Sequence, residues 1–137
     1  MSHQNSRRIC NWQRQFSDEQ YKAVIDRNGV IGMSFDIIMM QDGYVRWQST
    51  NEVKIERAID NIDIVCQLAG NANHVGMGTD LDGCFGNEQT PADLNRYTDL
   101  PPKLLDGLSK RGYSEDDIQL IMHGNWLRFF EEVLPNQ

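Results

Sequence analysis

The spacing of hydrophobic positions predicts helices that alternate with short buried strands. The helices are predicted over residues 17–27 and 52–69, and the strands over residues 30–35 and 74–79. Ser17 and Gln20 form a capping box that begins the first helix, and Ser49 and Glu52 are expected to do the same for the second. Neither strand alternates with polar residues, which is typical of parallel strands covered on both faces.

The second half of the chain is predicted to be mostly helical. One helix begins at Pro101-Pro102, and Ser114 with Asp117 begins another. Gly124-Asn125 is expected to interrupt that helix before a last helical piece over residues 126–133.

This order of elements indicates βαβ units and a parallel sheet, with a third candidate strand ending just before His3. Two or three strands cannot close a barrel. The whole chain, residues 1–137, is therefore interpreted as a single partial domain of a larger α/β fold.

Composition narrows the classes of function. A net charge of −7 without a clustered basic face argues against a nucleic-acid partner. No apolar run is long enough to span a membrane, and no apolar segment follows Arg7-Arg8 as it would in a signal peptide. Three widely spaced cysteines without a CxxC pair disfavour a thiolate zinc site and fit a reducing compartment, so a cytoplasmic location is expected.

Three residues are candidates for chemistry, and each has a plainer explanation. Asp80 follows a strand, where parallel α/β folds build their sites, yet Asp-x-Asp-Gly is also a common turn composition. His3 lies near the chain start, where a histidine is usually exposed and idle. Arg14 lies in a polar loop, where most arginines are simply solvated.

Several segments, taken in order, resemble the renal (membrane) dipeptidase family, the M19 metallopeptidases of the amidohydrolase superfamily. The similarity runs from residue 2 to about residue 133. The segments that carry it are Ser2-His3-Gln4-Asn5, Arg14 with Phe16-Ser-Asp-Glu19, Gly29-Val-Ile-Gly32, His74-Val-Gly-Met-Gly-Thr-Asp-Leu-Asp-Gly83, Arg111-Gly-Tyr-Ser-Glu-Asp-Asp-Ile118 and Gly124-Asn-Trp-Leu-Arg128.

The resemblance implies a zinc-dependent dipeptidase on a (β/α)8 TIM-type barrel, of which this chain would supply the end of strand 6 to strand 8 and the C-terminal helices. His3 would be a metal ligand. Arg14 would bind the carboxylate of the dipeptide substrate through its guanidinium fork. Asp80 would hold the metal-bridging water and the substrate's amino end, and would shuttle the proton. The family's zinc pair would activate that water and polarise the scissile carbonyl.

The sequence also departs from the family pattern. Asn61-Ile-Asp-Ile-Val65 stands where two histidines are usual, Gln15 replaces an asparagine, and the chain contains no His-x-Asp pair. One histidine and one aspartate cannot hold a binuclear site. The isolated chain is therefore expected to bind zinc weakly, to have little dipeptidase activity and to self-associate through an open strand edge.

Two alternatives remain open at the level of sequence. A related amidohydrolase could act on another carboxylate-bearing amide, such as a β-lactam or an N-acyl amino acid. The chain could instead be a non-enzymatic remnant, or a half-barrel that pairs with a complementary half or with itself. In the enzymatic readings, the loop over residues 39–47 is expected to line the pocket for the substrate side chain.

Overall fold

Residues 1–135 are described by a computed structural model of α/β architecture. The helices are α1 (Asp18–Ile25), α2 (Glu56–Ala69), α3 (Leu100–Lys110), α4 (Glu115–Gln119) and α5 (Asn125–Val133), and the strands are β1 (Ile31–Met33) and β2 (Val75–Met77). A π-helical stretch, Leu120–Gly124, joins α4 to α5, and three short 3-10 turns lie in the loops. The order along the chain is the predicted one.

The sheet is a parallel pair in which α2 forms the crossover connection between the strands. Ile31 lies opposite Val75, and Met33 lies opposite Met77. Both β1 residues are fully buried, as expected for a parallel strand covered on both faces. The regular strands are shorter than the predicted runs, although the Phe35 N–H still donates to the Thr79 carbonyl at 2.9 Å beyond them.

The first residues run beside β1 as an extended segment. The Met1 amino group donates to the Val30 carbonyl, and the Gly32 N–H donates back to the Met1 carbonyl at 2.7 Å. The Gln4 N–H then reaches the Gly32 carbonyl at 2.8 Å. These bonds place the segment that ends at His3 where a third strand was expected, but no regular strand forms there.

The helix ends follow local sequence in most places. Capping boxes begin α1 at Ser17 and α4 at Ser114, as predicted. The capping box expected at Ser49 is wrong, because α2 begins at Glu56 and its N-cap residue, Ile55, makes no side-chain cap. The Ile55 N–H instead donates to the Asp93 side chain at 3.0 Å, a partner from a distant loop.

At the predicted interruption, Gly124-Asn125, the helix does not end. It widens into the π-helical stretch and continues as α5. The Asn125 side chain is fully buried there and donates to the carbonyls of Ala72 and Val75 at 2.7 and 2.8 Å. A wider turn in a helix often marks such a local requirement. Here it brings α5 against β2.

The core lies between the sheet, α2 and α3. It is formed by one cluster of buried side chains that includes Ile31, Met33, Phe35, Ile59, Ile62, Val65, Cys66, Leu104, Leu108 and Ile121. None of the helices in the described part of the chain is long and apolar enough to cross a membrane.

Candidate functional site

Asp80 lies three residues beyond the carboxyl end of β2, in a strained conformation. Its φ is 61°, in the left-handed region that non-glycine residues seldom adopt. Its carbonyl accepts a hydrogen bond from the Gly83 N–H at 2.9 Å, so Asp80 does begin a turn. Backbone strain of this kind costs free energy and clusters at functional sites. Asp80 thus fits both explanations given for it from the sequence, since it begins a turn and also lies where a functional site is expected.

A cavity of about 610 Å³ brings His3 and Asp80 to one place. It is open to solvent and is also lined by Asp82, Gly83 and Trp126. The imidazole of His3 is exposed, and its Nδ1 lies 3.0 Å from the Ser2 hydroxyl. The predicted metal ligand, His3, and the predicted catalytic residue, Asp80, therefore line one cavity, although they are far apart in sequence.

The strand glycines explain how the backbone segments come so close. A Cβ on Gly78 would lie 1.8 Å from the Ser2 carbonyl oxygen, and a Cβ on Gly76 would lie 2.5 Å from the Trp126 indole nitrogen. Side chains at these positions would push away the segment that carries His3 and the helix that lines the cavity. Glycine at both positions therefore permits the close approach of the neighbouring segments.

Buried amide side chains hold the N-terminal loop, which carries His3 and Arg14. Asn5 bonds the backbone of Ser34, and Asn61 accepts from the Ser6 N–H at 2.9 Å. The members of this set are Gln4, Asn5, Gln15 and Asn61, which are all at most 5% exposed. The comparison of motifs singled out these four positions, but only the fold shows that their amides are buried.

Arg14 is exposed and is held through its backbone. The Gln4 side chain donates to the Arg14 carbonyl at 2.7 Å, and the Gln15 side chain donates to the Met39 carbonyl at 2.8 Å. Arg14 does not line the cavity that His3 and Asp80 share. Its charge nevertheless acts on Asp36, which also feels the charge of Asp80. Asp36 thus lies in the field of Arg14 and Asp80, two of the three predicted residues.

Asp36 was missed at the level of sequence. It follows β1 as Asp80 follows β2, it is 4% exposed, and its carboxylate accepts from the Ile38 N–H and the Gln89 side chain at 3.0 Å each. Burial raises the pKa of Asp36, the bonds from Ile38 and Gln89 oppose the rise, and Asp80 adds to it. An acidic residue directly after the first buried strand was the signal that could have identified it.

The loops that follow the two strands are joined side by side. We call residues 36–50 the β1 loop and residues 80–99 the β2 loop. Besides the Asp36–Gln89 bond, the Tyr44 hydroxyl donates to the Glu88 carbonyl, and Arg46 pairs with the Glu88 carboxylate. The two loops therefore form one continuous wall at the carboxyl ends of the strands.

The remaining histidines are not part of this site. His74 lies at the opposite end of β2, where its Nδ1 is 3.0 Å from the Gly29 carbonyl. His123 is exposed in the π-helical stretch. Within residues 1–135 no group of three or more His, Cys, Asp or Glu side chains is placed to hold a metal ion.

A comparison with protein-family models decides which family the chain belongs to. The model of the membrane dipeptidases (peptidase family M19) matches residues 1–136. The chain belongs to the membrane dipeptidase family. The resemblance of its motifs to that family is confirmed.

Individual relatives of this dipeptidase-family chain are distant in sequence. A dipeptidase of Aspergillus oryzae, aclJ, is 29% identical over 132 residues, and a Klebsiella pneumoniae protein named only as an uncharacterized protein in the pqqA 5′ region is 27% identical over 133 residues. Each match covers 96% of this chain.

Two solved structures of the family share its fold. One is a metallopeptidase named dipeptidase AC, with a TM-score of 0.79 and 26% identity, and the other is a Rhodobacter sphaeroides metallopeptidase bound to a phosphinate mimic of the dipeptide L-Ala-D-Ala, with a TM-score of 0.79 and 25% identity. Each match covers 94% of this dipeptidase-family chain. The chain spans 36% and 34% of those structures, and 45% and 29% of the Klebsiella and Aspergillus proteins.

Proposed function

We propose that this chain forms the C-terminal part of a (β/α)8 barrel and carries part of the active site of a zinc-dependent dipeptidase. The observation that supports the proposal most is the shared cavity of His3 and Asp80. It lies at the carboxyl ends of parallel strands, where barrels of this type build their active sites. Membership of the dipeptidase family agrees with this assignment.

The charges around the site suit a dipeptide, which carries an ammonium group at one end and a carboxylate at the other. Arg14 is an exposed guanidinium that would bind the carboxylate bidentately. Asp80, with its side chain partly exposed at the cavity, would bind the ammonium group and carry the proton between water and the leaving amine. The two ends of the substrate would thereby be fixed relative to the scissile bond.

The metal centre is proposed to be incomplete in this chain. His3 would supply one ligand, since a neutral imidazole suits zinc. The described residues do not provide the set of ligands that a metal ion needs. The other ligands would come from the part of the relatives that this chain does not span, so we propose that the isolated chain is inactive.

The proposal is tested by a chimera. Residues 1–135 replace the matching segment of the Rhodobacter sphaeroides enzyme, and hydrolysis of L-Ala-D-Ala is measured together with bound zinc. We expect a folded chimera that binds zinc and hydrolyses the dipeptide. Replacing Asp80 with Asn should lower kcat by at least a hundredfold while zinc stays bound, and replacing Arg14 with Ala should mainly raise KM.

The matched control is Arg27→Ala, because Arg27 is an exposed arginine beyond α1 whose guanidinium group donates to the Ala23 carbonyl and lies outside the cavity. It should leave kcat and KM unchanged. A chimera that folds and binds zinc but cleaves neither this dipeptide nor any of a dipeptide panel would refute the proposed function. Hydrolysis of a β-lactam or an N-acyl amino acid in its place would favour the related amidohydrolase, since Arg14 suits those carboxylates equally.

A second proposal concerns partners. The helix α5 exposes Leu127, Phe130 and Val133 beside the free edge of β2, with exposed fractions of 57%, 47% and 54%. An apolar patch on this side would be covered in a complete barrel, so we propose that the isolated chain pairs with a complementary half-barrel or with a second copy.

A further inference from the structure

Asp36 and Asp80 occupy equivalent places on neighbouring strands. The parallel register pairs Met33 with Met77, and Asp36 and Asp80 follow these two residues by three positions each. The bond from the Phe35 N–H to the Thr79 carbonyl at 2.9 Å shows that the two chains are still side by side just before the two aspartates. Their roles diverge from there, because Asp36 is buried and Asp80 faces the cavity.

The Asp36 carboxylate joins two loops. One oxygen accepts from the Ile38 N–H at 3.0 Å and so caps the 3-10 turn at the start of the β1 loop. The other accepts from the Gln89 side chain at 3.0 Å, in the middle of the β2 loop. Gln89 is 7% exposed, so water cannot easily replace its bond to Asp36. A buried carboxylate costs free energy unless such bonds satisfy it.

Asp80 needs support from its surroundings, because it begins the β2 loop in a left-handed conformation. Such a conformation persists only where the structure around it over-determines it. Near Asp80 the loop is held by the Gly83 N–H and by the Tyr97 hydroxyl, which donates to the Leu81 carbonyl at 2.7 Å. At Gln89 the loop is held by Asp36.

We propose that Asp36 is a positioning residue of the site. Its carboxylate fastens the β2 loop to the end of β1 through Gln89 and thereby holds Asp80 in the conformation that directs it to the cavity. The β1 loop is also linked to Glu88 by Tyr44 and Arg46, and the Arg46–Glu88 pair is partly exposed to water. Asn51, which follows the β1 loop, donates to the Thr90 carbonyl at 2.6 Å. The consequence for catalysis rests on the proposed function, whereas the fastening of the loop does not.

The fastening is tested on the chain itself by amide hydrogen exchange, followed by NMR. Asp36→Ala and Gln89→Ala should each accelerate exchange of the backbone amides of Gly83 and of residue 89 at least tenfold, with exchange of the α2 amides unchanged. Asp36→Asn should retain slow exchange, because its amide can still cap Ile38 and bond Gln89. Gln89→Ala leaves the Ile38 cap intact, so it reports on the loop even if Asp36→Ala unfolds the chain.

The control is Asp42→Ala, an exposed carboxylate of the β1 loop that bonds the Asn11 N–H and not the β2 loop. It should leave the Gly83 and Gln89 amides unchanged. Unchanged exchange in Gln89→Ala, or equal acceleration in α2, would overturn the proposal. In the active chimera, Asp36→Ala should lower kcat more than it changes KM, and Asp36→Asn should restore kcat. If the exchange data support the fastening of the loop but the chimera is inactive, the proposed function is contradicted and the fastening of the loop by Asp36 is not.

Discussion

The side chain of Asn5 bonds both backbone groups of Ser34, donating to its carbonyl at 3.0 Å and accepting from its N–H at 2.9 Å. Both residues are fully buried. The amide takes the place that a neighbouring strand would occupy beside the end of β1 and satisfies the backbone there. It also holds the segment that carries His3 against the strand that leads to Asp36.

Replacing Asn5 with Ala should destabilise the chain by about 3 kcal/mol, because two buried backbone groups lose their partners. Urea unfolding followed by circular dichroism measures the change. Asn11→Ala is the control, since Asn11 is exposed, and it should change the free energy of unfolding by less than about 0.5 kcal/mol. Equal midpoints for the Asn5 variant and the unaltered chain would contradict a stabilising role of this amide.

Replacing Asp36 with Asn should alter how stability depends on pH. Burial raises the pKa of Asp36 above its ordinary value of 3.8, so the folded chain takes up a proton more readily than the unfolded chain. The stability that Asp36 contributes is full below pH 3.8 and is lost as pH rises through the raised pKa. The Asn variant should therefore gain stability relative to the unaltered chain as pH rises from about 4 to 7, measured by urea unfolding at each pH. Bonds from Ile38 and Gln89, and the charges of Asp80 and Arg14, also act on the pKa of Asp36. If the Asn variant instead loses stability relative to the unaltered chain as pH rises, the pKa of Asp36 is not raised in the folded chain.

One cysteine should react quickly with a thiol reagent. Cys84 is exposed, whereas burial raises the pKa of Cys10 to about 12 and that of Cys66 to about 11. With Ellman's reagent at pH 8, we expect one thiol to react in the fast phase, and Cys84→Ser should abolish that phase. Cys66→Ser should leave the fast phase intact, and two fast thiols in the folded chain would show that a buried cysteine is accessible.

Trp126 protects the free edge of β2. Its indole N–H donates to the Met77 carbonyl at 2.9 Å, and its ring stacks on Phe130 with centroids 5.8 Å apart. Trp126→Leu keeps an apolar side chain but leaves the Met77 carbonyl without this hydrogen bond. We therefore expect stronger self-association through the edge of β2. Sedimentation velocity over a concentration series measures it, with the exposed Trp47→Leu as control. An unchanged sedimentation coefficient in a folded Trp126 variant would mean that the edge does not drive association.

Local sequence accounts for much of the fold. The capping boxes at Ser17 and Ser114 involve residues three apart, and the buried strands follow from uninterrupted apolar runs, so both could be predicted. The start of α2 could not, because the partner of the Ile55 N–H is Asp93, 38 residues further along. No local pattern records a bond over that distance.

The candidate site, too, could be predicted from the sequence only in part. The sequence by itself determined that Asp80 follows a buried strand, and the family motifs singled out His3 and Arg14. Only the tertiary structure decided that His3 and Asp80 share a cavity and that Asp36 is buried under the β2 loop. The physical reason is that burial and charge proximity depend on which distant segments pack together. The sequence pattern of Asp36 is that of any acidic residue after a strand, and the Gln89 side chain that covers it comes from 53 residues away.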